Sequence, residues 1–224
     1  MDFMRVLRSF EELLYEVASW LVFYPLTMWK ALRRPQAMMR YADAELADTP
    51  EAQYTDTLSP PLFLLVSLLL AHGAELAVKG QGVAWSRPAV LASDANLLAF
   101  RALSFAIFPL LMLVQLLHRR GVPIDRRTLR PPFYSQCYAV APAALGVSLG
   151  ALMAGFHRLP LAAGLAVVAG SLAWYVTVEA RWFAADLRVS AARAVGIVVG
   201  TVLLGTVIMV VGAALLAYGS GAAG

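Results

Sequence analysis

Five long apolar segments constrain what this chain can fold into. A helix that crosses a membrane needs about 20 mainly apolar residues, because each residue adds about 1.5 Å across a hydrocarbon core of about 30 Å. The apolar residues do not alternate as they would in strands of a barrel, so we predict an all-α fold, an integral membrane bundle of five transmembrane helices. The five segments are residues 61–78, 95–117, 133–156, 161–178 and 194–218.

The composition also favours a lipid environment. Hydrophobic residues make up 60% of the 224 residues and charged residues 14%, whereas soluble domains carry about 25% charged residues. The net charge of +4 could attract nucleic acid, but the basic residues cluster beside the apolar segments, as they do at membrane edges. We therefore expect membrane lipids as partners and no nucleic acid.

Lysine and arginine are distributed unequally around the five segments. Fourteen of the 18 fall on one predicted side, three on the other, and Arg101 lies inside the second segment. Because cytoplasmic loops carry the excess of positive charge, we predict a multi-pass protein of a bacterial-type cytoplasmic (inner) membrane, with the N-terminus in the cytoplasm and the C-terminus outside. The residues expected at the cytoplasmic surface or at lipid headgroups include Lys30, Arg33, Arg34, Arg119, Arg120, Arg126 and Arg127.

Residues 1–59 differ in character from residues 60–224, which form the predicted transmembrane domain. Apolar residues recur at three- and four-residue steps from Phe3 to Leu21, and charged residues occupy the other face. This pattern predicts an amphipathic helix lying in the headgroup region. Residues 41–59 contain five acids and no base, and we interpret them as a cytoplasmic acidic linker.

An alternative for the N-terminal region is a sixth span over residues 13–29. That span would be short, would contain Glu16 and would be interrupted at Pro25. The charge counts leave this alternative open.

Ionisable residues inside the predicted spans suggest a functional cluster. Glu75 in the first span and Arg101 in the second fall at similar depth near the outer surface. A charge in mid-membrane costs about 2.5 to 3.5 kcal/mol, so we predict a Glu75–Arg101 ion pair, with His72 one turn deeper on the same helix face. The cluster would be a polar portal or proton-responsive site, or a clamp between two helices.

Other polar residues give weaker signals. Glu179, Arg181 and Asp186 follow the fourth span, and we expect them to be solvated or interfacial. Cys137 is the single cysteine, so it excludes an intrachain disulfide and is expected to pack as a small hydrophobe.

The sequence contains no motif of nucleotide-binding, zinc-binding or serine-nucleophile sites, and its three histidines fall on separate segments. We therefore expect no cofactor, no metal site and no enzymatic activity. A lipid-modifying enzyme that uses His72, Glu75 and Asp94 is the alternative.

Small residues recur every four positions in the later spans, a spacing that lets helix backbones approach closely. The pattern predicts tight packing of spans three to five, or the face of a homo-oligomer. The three series are Gly146, Gly150 and Ala154; Ala162, Ala166 and Gly170; and Ala192, Gly196 and Gly200.

The order of the parts gives a further indication of function. The N-terminal region contains FYPLTMWKALRRP, an acidic linker follows, LSPPLF opens the first span, and the last of five spans ends outside. This arrangement resembles the Yip1-type integral membrane proteins, including bacterial members described as permease-like. The resemblance implies a non-enzymatic membrane protein. We favour a permease- or channel-like role for a small solute or ion; the alternatives are a scaffold or assembly subunit with membrane-protein partners, and the lipid-modifying enzyme.

Overall fold

The computed structural model describes residues 2–50, 52–78, 93–156 and 159–221, which form helices without strands. The predicted all-α fold is therefore confirmed. Lys79, Arg87, His157, Arg158 and the C-terminal residue, which enter the predicted topology, lie outside the described residues. The helices are α1 (Asp2–Arg33), α2 (Pro35–Glu45), α3 (Pro60–Val78), α4 (Asp94–Arg120), α5 (Arg126–Ala154), α6 (Leu161–Leu187) and α7 (Ala191–Gly221).

Helices α3 to α7 are the membrane-spanning elements. Each is long and apolar enough to cross a bilayer, and the described residues contain five such helices. The alternative sixth span over residues 13–29 is not among them. Those residues lie instead within α1, which continues through Pro25.

Pro35 separates α1 from α2. A proline disfavours helical conformation in the preceding residue, and Arg34 has φ −135° and ψ 58°. Helix α2 then begins at Pro35, because a proline at the first helical position lacks only an N–H that would have no partner in the helix. The chain therefore turns at Arg34, and α2 packs against α5 and α6.

Helix α5 is the centre of the bundle, since it packs against α1, α2, α3, α4 and α6. Its N-terminus is fixed by Asp125, whose side chain accepts hydrogen bonds from the backbone N–H groups of Arg127 at 2.7 Å and Thr128 at 2.9 Å. Its middle is buried, including Cys137, which is fully enclosed as expected for a small hydrophobe.

Glycines bring α5 and α6 into close contact. A Cβ added at Gly150 would lie 2.9 Å from the carbonyl oxygen of Gly164, and one at Gly164 would clash with the backbone of Ala154. The predicted tight packing is therefore present for the α5 series. The other two series lie on open surfaces, where a Cβ at Gly170, Gly196 or Gly200 would meet nothing within 4 Å.

We define the basic end of the bundle as the end where α3, α5 and α7 begin and α4 and α6 end. Residues 20–50 and 52–59 pack onto this end and share the hydrophobic core with the spans. The Tyr138 hydroxyl donates to the Leu58 carbonyl at 2.7 Å, and the Ser135 hydroxyl lies 2.7 Å from Asp43 Oδ1. The acidic segment is thus folded against the membrane helices.

The glycine contact gives a direct test of the fold. Gly164→Ala should lower the free energy of unfolding by about 1 to 3 kcal/mol, because its methyl group would be forced against the α5 backbone. Gly170→Ala on the same helix, where the space is open, is the matched control and should be neutral or slightly stabilising. Thermal unfolding of the purified protein in detergent, followed by tryptophan fluorescence, measures both. Equal melting temperatures for the two variants would contradict the α5–α6 packing.

Candidate functional site

The predicted ion pair between Glu75 and Arg101 is present in the structure and joins α3 to α4. The Arg101 guanidinium donates to Glu75 Oε2. The Glu75 side chain is 12% exposed and that of Arg101 is 22% exposed. Arg101 Nη1 is buried and has no hydrogen-bond partner among the described residues. One guanidinium nitrogen of the pair is therefore enclosed without a described acceptor.

His72 lies one turn before Glu75 on α3 and is buried. Its Nδ1 atom has no hydrogen-bond partner in the described part of the chain. His72 does not line the cavity that borders Glu75 and Arg101. The structure therefore brings Glu75 and Arg101 together at this cavity, and His72 is not among its lining residues.

A cavity of about 210 Å³ borders the ion pair, and we call it the ion-pair cavity. Helices α3, α4, α5 and α7 all contribute to its wall. Besides the ion pair, its polar lining residues are Ser104 and Ser148. The arrangement places charged and hydroxyl groups from three helices around one space.

A second cavity of about 180 Å³ lies next to the first, and we call it the apolar cavity. The two cavities share Phe105, Val147 and Met209 in their walls, so these three side chains separate them. The wall of the apolar cavity also includes Tyr175 of α6. The row of cavities therefore runs from the ion pair to α6.

Tyr175 belongs to a buried polar cluster. We call it the Glu179 cluster and define it by Gln136, Tyr175 and Glu179. Gln136 Nε2 donates to Glu179 Oε2 at 2.9 Å, and both residues are fully buried. Three oxygens have no hydrogen-bond partner among the described residues, namely Glu179 Oε1, Gln136 Oε1 and the Tyr175 hydroxyl. Unpartnered buried polar atoms are costly, and they mark places where water, an ion or a ligand is accommodated.

The prediction that Glu179 is solvated or interfacial was therefore wrong. Helix α6 continues to Leu187, so Glu179 is two turns from its end and is covered by α5. Gln36 of α2 contacts the residue before Glu179, since its Nε2 donates to the Val178 carbonyl at 3.0 Å. The matched depth of two polar residues, Gln136 and Glu179, was a signal that sequence reasoning missed.

Two of the basic residues assigned to the cytoplasmic surface form ion pairs. Lys30 Nζ lies 2.7 Å from Asp56 Oδ2. Arg120 pairs through two nitrogens with the carboxylate of Asp186. Asp186, which was also expected to be solvated or interfacial, lies one residue before the end of α6, is 18% exposed and pairs with Arg120.

The remaining predicted basic residues are exposed. Arg119, Arg126 and Arg127 lie on the surface around the connection between α4 and α5. Arg33 and Arg34 line a separate groove at the junction of α1 and α2. Arg181, expected to be solvated, is exposed and lines the same groove.

Asp56 links α1 to α2. Its carboxylate accepts hydrogen bonds from Lys30 and, at 2.6 Å, from the Tyr41 hydroxyl. The Lys30 hydrogen bond, followed by that of Tyr41, holds the pKa of Asp56 below its ordinary value of 3.8. A lowered carboxyl pKa contributes stability above the ordinary pKa, and that contribution is lost as the pH falls through the lowered value.

These observations define a multi-pass helical membrane protein with two adjoining, partly open cavities and two polar groups within its spans, one at the ion pair and one at Glu179. No family model matches the chain, and neither a curated protein nor a solved structure matches it.

The ion pair can be tested by removing one partner or both. Glu75→Leu should destabilise the protein by about 2 kcal/mol, because it leaves the partly buried Arg101 without its carboxylate. The double variant Glu75→Leu/Arg101→Leu should recover part of that loss, because no charge is then left behind. Chemical and thermal unfolding in detergent give the coupling energy. Additive losses in the double variant would show that the pair does not act as a unit.

The Asp56 contacts predict a pH dependence. Asp56→Asn should lower stability at neutral pH by less than about 1 kcal/mol, because the pair with Lys30 is exposed. The difference between the wild type and the variant should vanish as the pH falls from about 7 to about 2, through the lowered pKa of Asp56. Melting temperatures measured along that titration check the sign. A difference that grows on acidification would be the opposite of the expected result.

Proposed function

We propose that the protein is a permease- or channel-like conduit for a small solute or ion. The observation that carries the proposal is the row of two cavities, which leads from Glu75 and Arg101 to Tyr175 beside Glu179. Their volumes of about 210 and 180 Å³ correspond to several water molecules each, at about 30 Å³ per water. A solute that fits this row is small.

The ion-pair cavity supplies the recognition chemistry in this proposal. Glu75 contributes a carboxylate and Arg101 a guanidinium group to the lining of this cavity. Ser104 and Ser148 add hydroxyl groups that both donate and accept. These groups suit a small polar or zwitterionic solute, because it carries both acceptors for Arg101 and donors for the serines.

The three side chains that separate the two cavities support a gated pathway. Phe105, Val147 and Met209 are apolar and come from α4, α5 and α7. Met209 has an unbranched, flexible side chain, which adapts to changes in its surroundings at low cost. Small movements of α7 or rotation of these side chains would connect the two cavities.

The Glu179 cluster supports coupling to a proton or a small cation. A carboxylate in a medium of low dielectric needs a compensating charge, and no described lysine or arginine forms an ion pair with Glu179. Its unpartnered oxygen, with those of Gln136 and Tyr175, offers sites for a proton, a cation or a hydrogen-bond donor. Intramembrane carboxyl groups commonly mark such pathways.

The orientation in the membrane belongs to the same proposal. Helices α1 and α2 and the described basic residues outside the spans collect at the basic end, which the positive-inside rule assigns to the cytoplasm of a bacterial-type inner membrane. The ion-pair cavity would then lie toward the outside. The resemblance to Yip1-type, permease-like proteins agrees with this function.

A membrane scaffold is the second candidate, and the first half of α1 favours it. Phe10, Leu14 and Leu21 are 56%, 54% and 76% exposed, so this apolar face is free for a lipid surface or a membrane-protein partner. A scaffold would recruit partners through α1, with no need for the ion-pair cavity or the apolar cavity.

Flux measurements distinguish these functions. In proteoliposomes containing a pH-sensitive dye, the wild type should carry protons or cations down an imposed gradient, alone or with small zwitterionic solutes added outside. Glu179→Gln should reduce this flux about tenfold or more, since a change of about 1.4 kcal/mol in a barrier corresponds to tenfold in rate. Glu11→Gln, on the exposed part of α1, is the matched control and should leave the flux unchanged.

Other outcomes select the alternatives. Absence of flux in the wild type, together with copurifying proteins that deletion of residues 1–40 releases, would favour the scaffold. Chemical change of labelled phospholipid in the same vesicles would favour the lipid-modifying enzyme. Equal flux through the wild type and Glu179→Gln would remove Glu179 from the pathway.

A further inference from the structure

A groove of about 370 Å³ lies at the basic end, where α1, α2 and α6 meet. Four arginines contribute to its wall, and no acidic residue does. We call it the arginine groove and define it by Arg33, Arg34, Arg40 and Arg181. It is separate from the ion-pair cavity and the apolar cavity, with which it shares no described lining residue.

The four arginines differ from other basic residues nearby in having no acidic partner. Lys30 is paired with Asp56, and Arg120 with Asp186. Among the described residues, no ion pair involves an arginine of the groove. Like charges held close together repel one another, so this arrangement creates a positive potential that favours an anion.

The backbone adds to the same potential. The groove includes Pro35, Gln36 and Ala37, the first turn of α2. Arg34 provides no side-chain cap for this turn, and the described part of the chain provides no backbone acceptor for the N–H groups of Gln36 and Ala37. The first turn of a helix carries a partial positive charge and free N–H groups, both of which favour a phosphate.

The surroundings of the groove indicate an anion that carries hydrocarbon. Leu32 and Trp174 line the groove together with the arginines. Leu32 is 45% exposed, and the neighbouring Trp29, 55% exposed, lies under the Arg33 guanidinium at 4.2 Å. Trp174 precedes Arg181 by two turns of α6, about 10 Å along the helix axis. Tryptophan beside arginine at the end of a spanning helix is typical of the headgroup level of a membrane.

We propose that the arginine groove is a specific binding site for the phosphate of an anionic phospholipid. The four guanidinium groups and the α2 N-terminus hold the phosphate, and an acyl chain lies along Leu32 and Trp174. This proposal does not depend on the conduit function. It also goes beyond general attraction to a charged surface, because it predicts that exposed arginines outside the groove do not contribute to lipid affinity.

A bound lipid would also secure the junction of α2 with α6. The groove includes Gln36, whose side chain donates to the Val178 carbonyl, and Val178 itself. A phosphate held by arginines of α1, α2 and α6 links the three helices through one ligand. Binding should therefore raise the stability of the folded protein, as expected for any ligand of the native state.

The test compares two double variants that lose the same charge. The full-length protein in neutral detergent is titrated with phosphatidylglycerol or cardiolipin, with phosphatidylcholine as the uncharged control, and melting temperature is followed. The wild type should be stabilised by the anionic lipids only. Arg34→Gln/Arg181→Gln should weaken the apparent affinity by about tenfold per arginine. Arg126→Gln/Arg127→Gln, on exposed residues outside the groove, should bind like the wild type.

A substitute variant and a second measurement complete the test. If Arg34→Gln/Arg181→Gln does not fold, Arg40→Gln serves instead, because Arg40 is exposed and lies outside the core; it should also bind about tenfold more weakly. Native mass spectrometry should show one anionic phospholipid retained by the wild type and lost by the groove variants. Equal weakening in both double variants, or full stabilisation by inorganic phosphate without lipid, would overturn the proposal.

Discussion

The close approach of α5 and α6 is the contact on which most of the bundle depends. Hydrocarbon offers no hydrophobic force between helices, so van der Waals contact between backbones replaces it. Gly150 and Gly164 permit that contact, since a side chain at either position would meet backbone atoms of the other helix. With α6 held in this way, Glu179 faces Gln136 and Tyr175 reaches the apolar cavity. The geometry of the candidate pathway thus follows from the smallest side chains in the chain.

The two acidic residues within the spans have different kinds of partner at the two ends of the bundle. Near the end opposite the basic end, Glu75 is compensated by Arg101, a neighbour across two consecutive helices. At the basic end, Glu179 is enclosed with an amide and a phenol, neither of which carries a positive charge. An ion pair of the first kind also serves assembly, because it lowers the cost of two isolated charges. The second arrangement leaves a cost in the folded protein, and function is the ordinary reason for such a cost.

Much of the architecture followed from hydrophobic pattern and length. The five spans were predicted, and the pairing of Glu75 with Arg101 followed from equal depth on adjacent helices. The burial of Glu179 was missed because the apolar segment stops near Val178 whereas the helix continues to Leu187. A pattern of side chains shows where lipid contact ends, and a residue beyond that point can still be covered by protein.

The N-terminal region shows a second limit of local patterns. Periodicity predicts the amphipathic character of α1, and composition identifies an acidic segment. Neither pattern predicts which distant parts of the chain these segments contact. Ser135 with Asp43, and Tyr138 with Leu58, join residues 92 and 80 positions apart. The small-residue series show the same limit, since their spacing is equal in all three and only the neighbours decide which one is packed.

The hydrogen bond from Gln36 to the Val178 carbonyl has a consequence for the order of folding. It closes a loop of 142 residues, and contacts so distant in sequence form only after the intervening chain has been organised. Helix α2 packs against both α5 and α6, so its docking surface is complete only after α6 has joined the bundle. The bond from Gln36 then forms at the residue next to Glu179, so the enclosure of that carboxyl group is completed late in assembly, when the two ends of this loop meet.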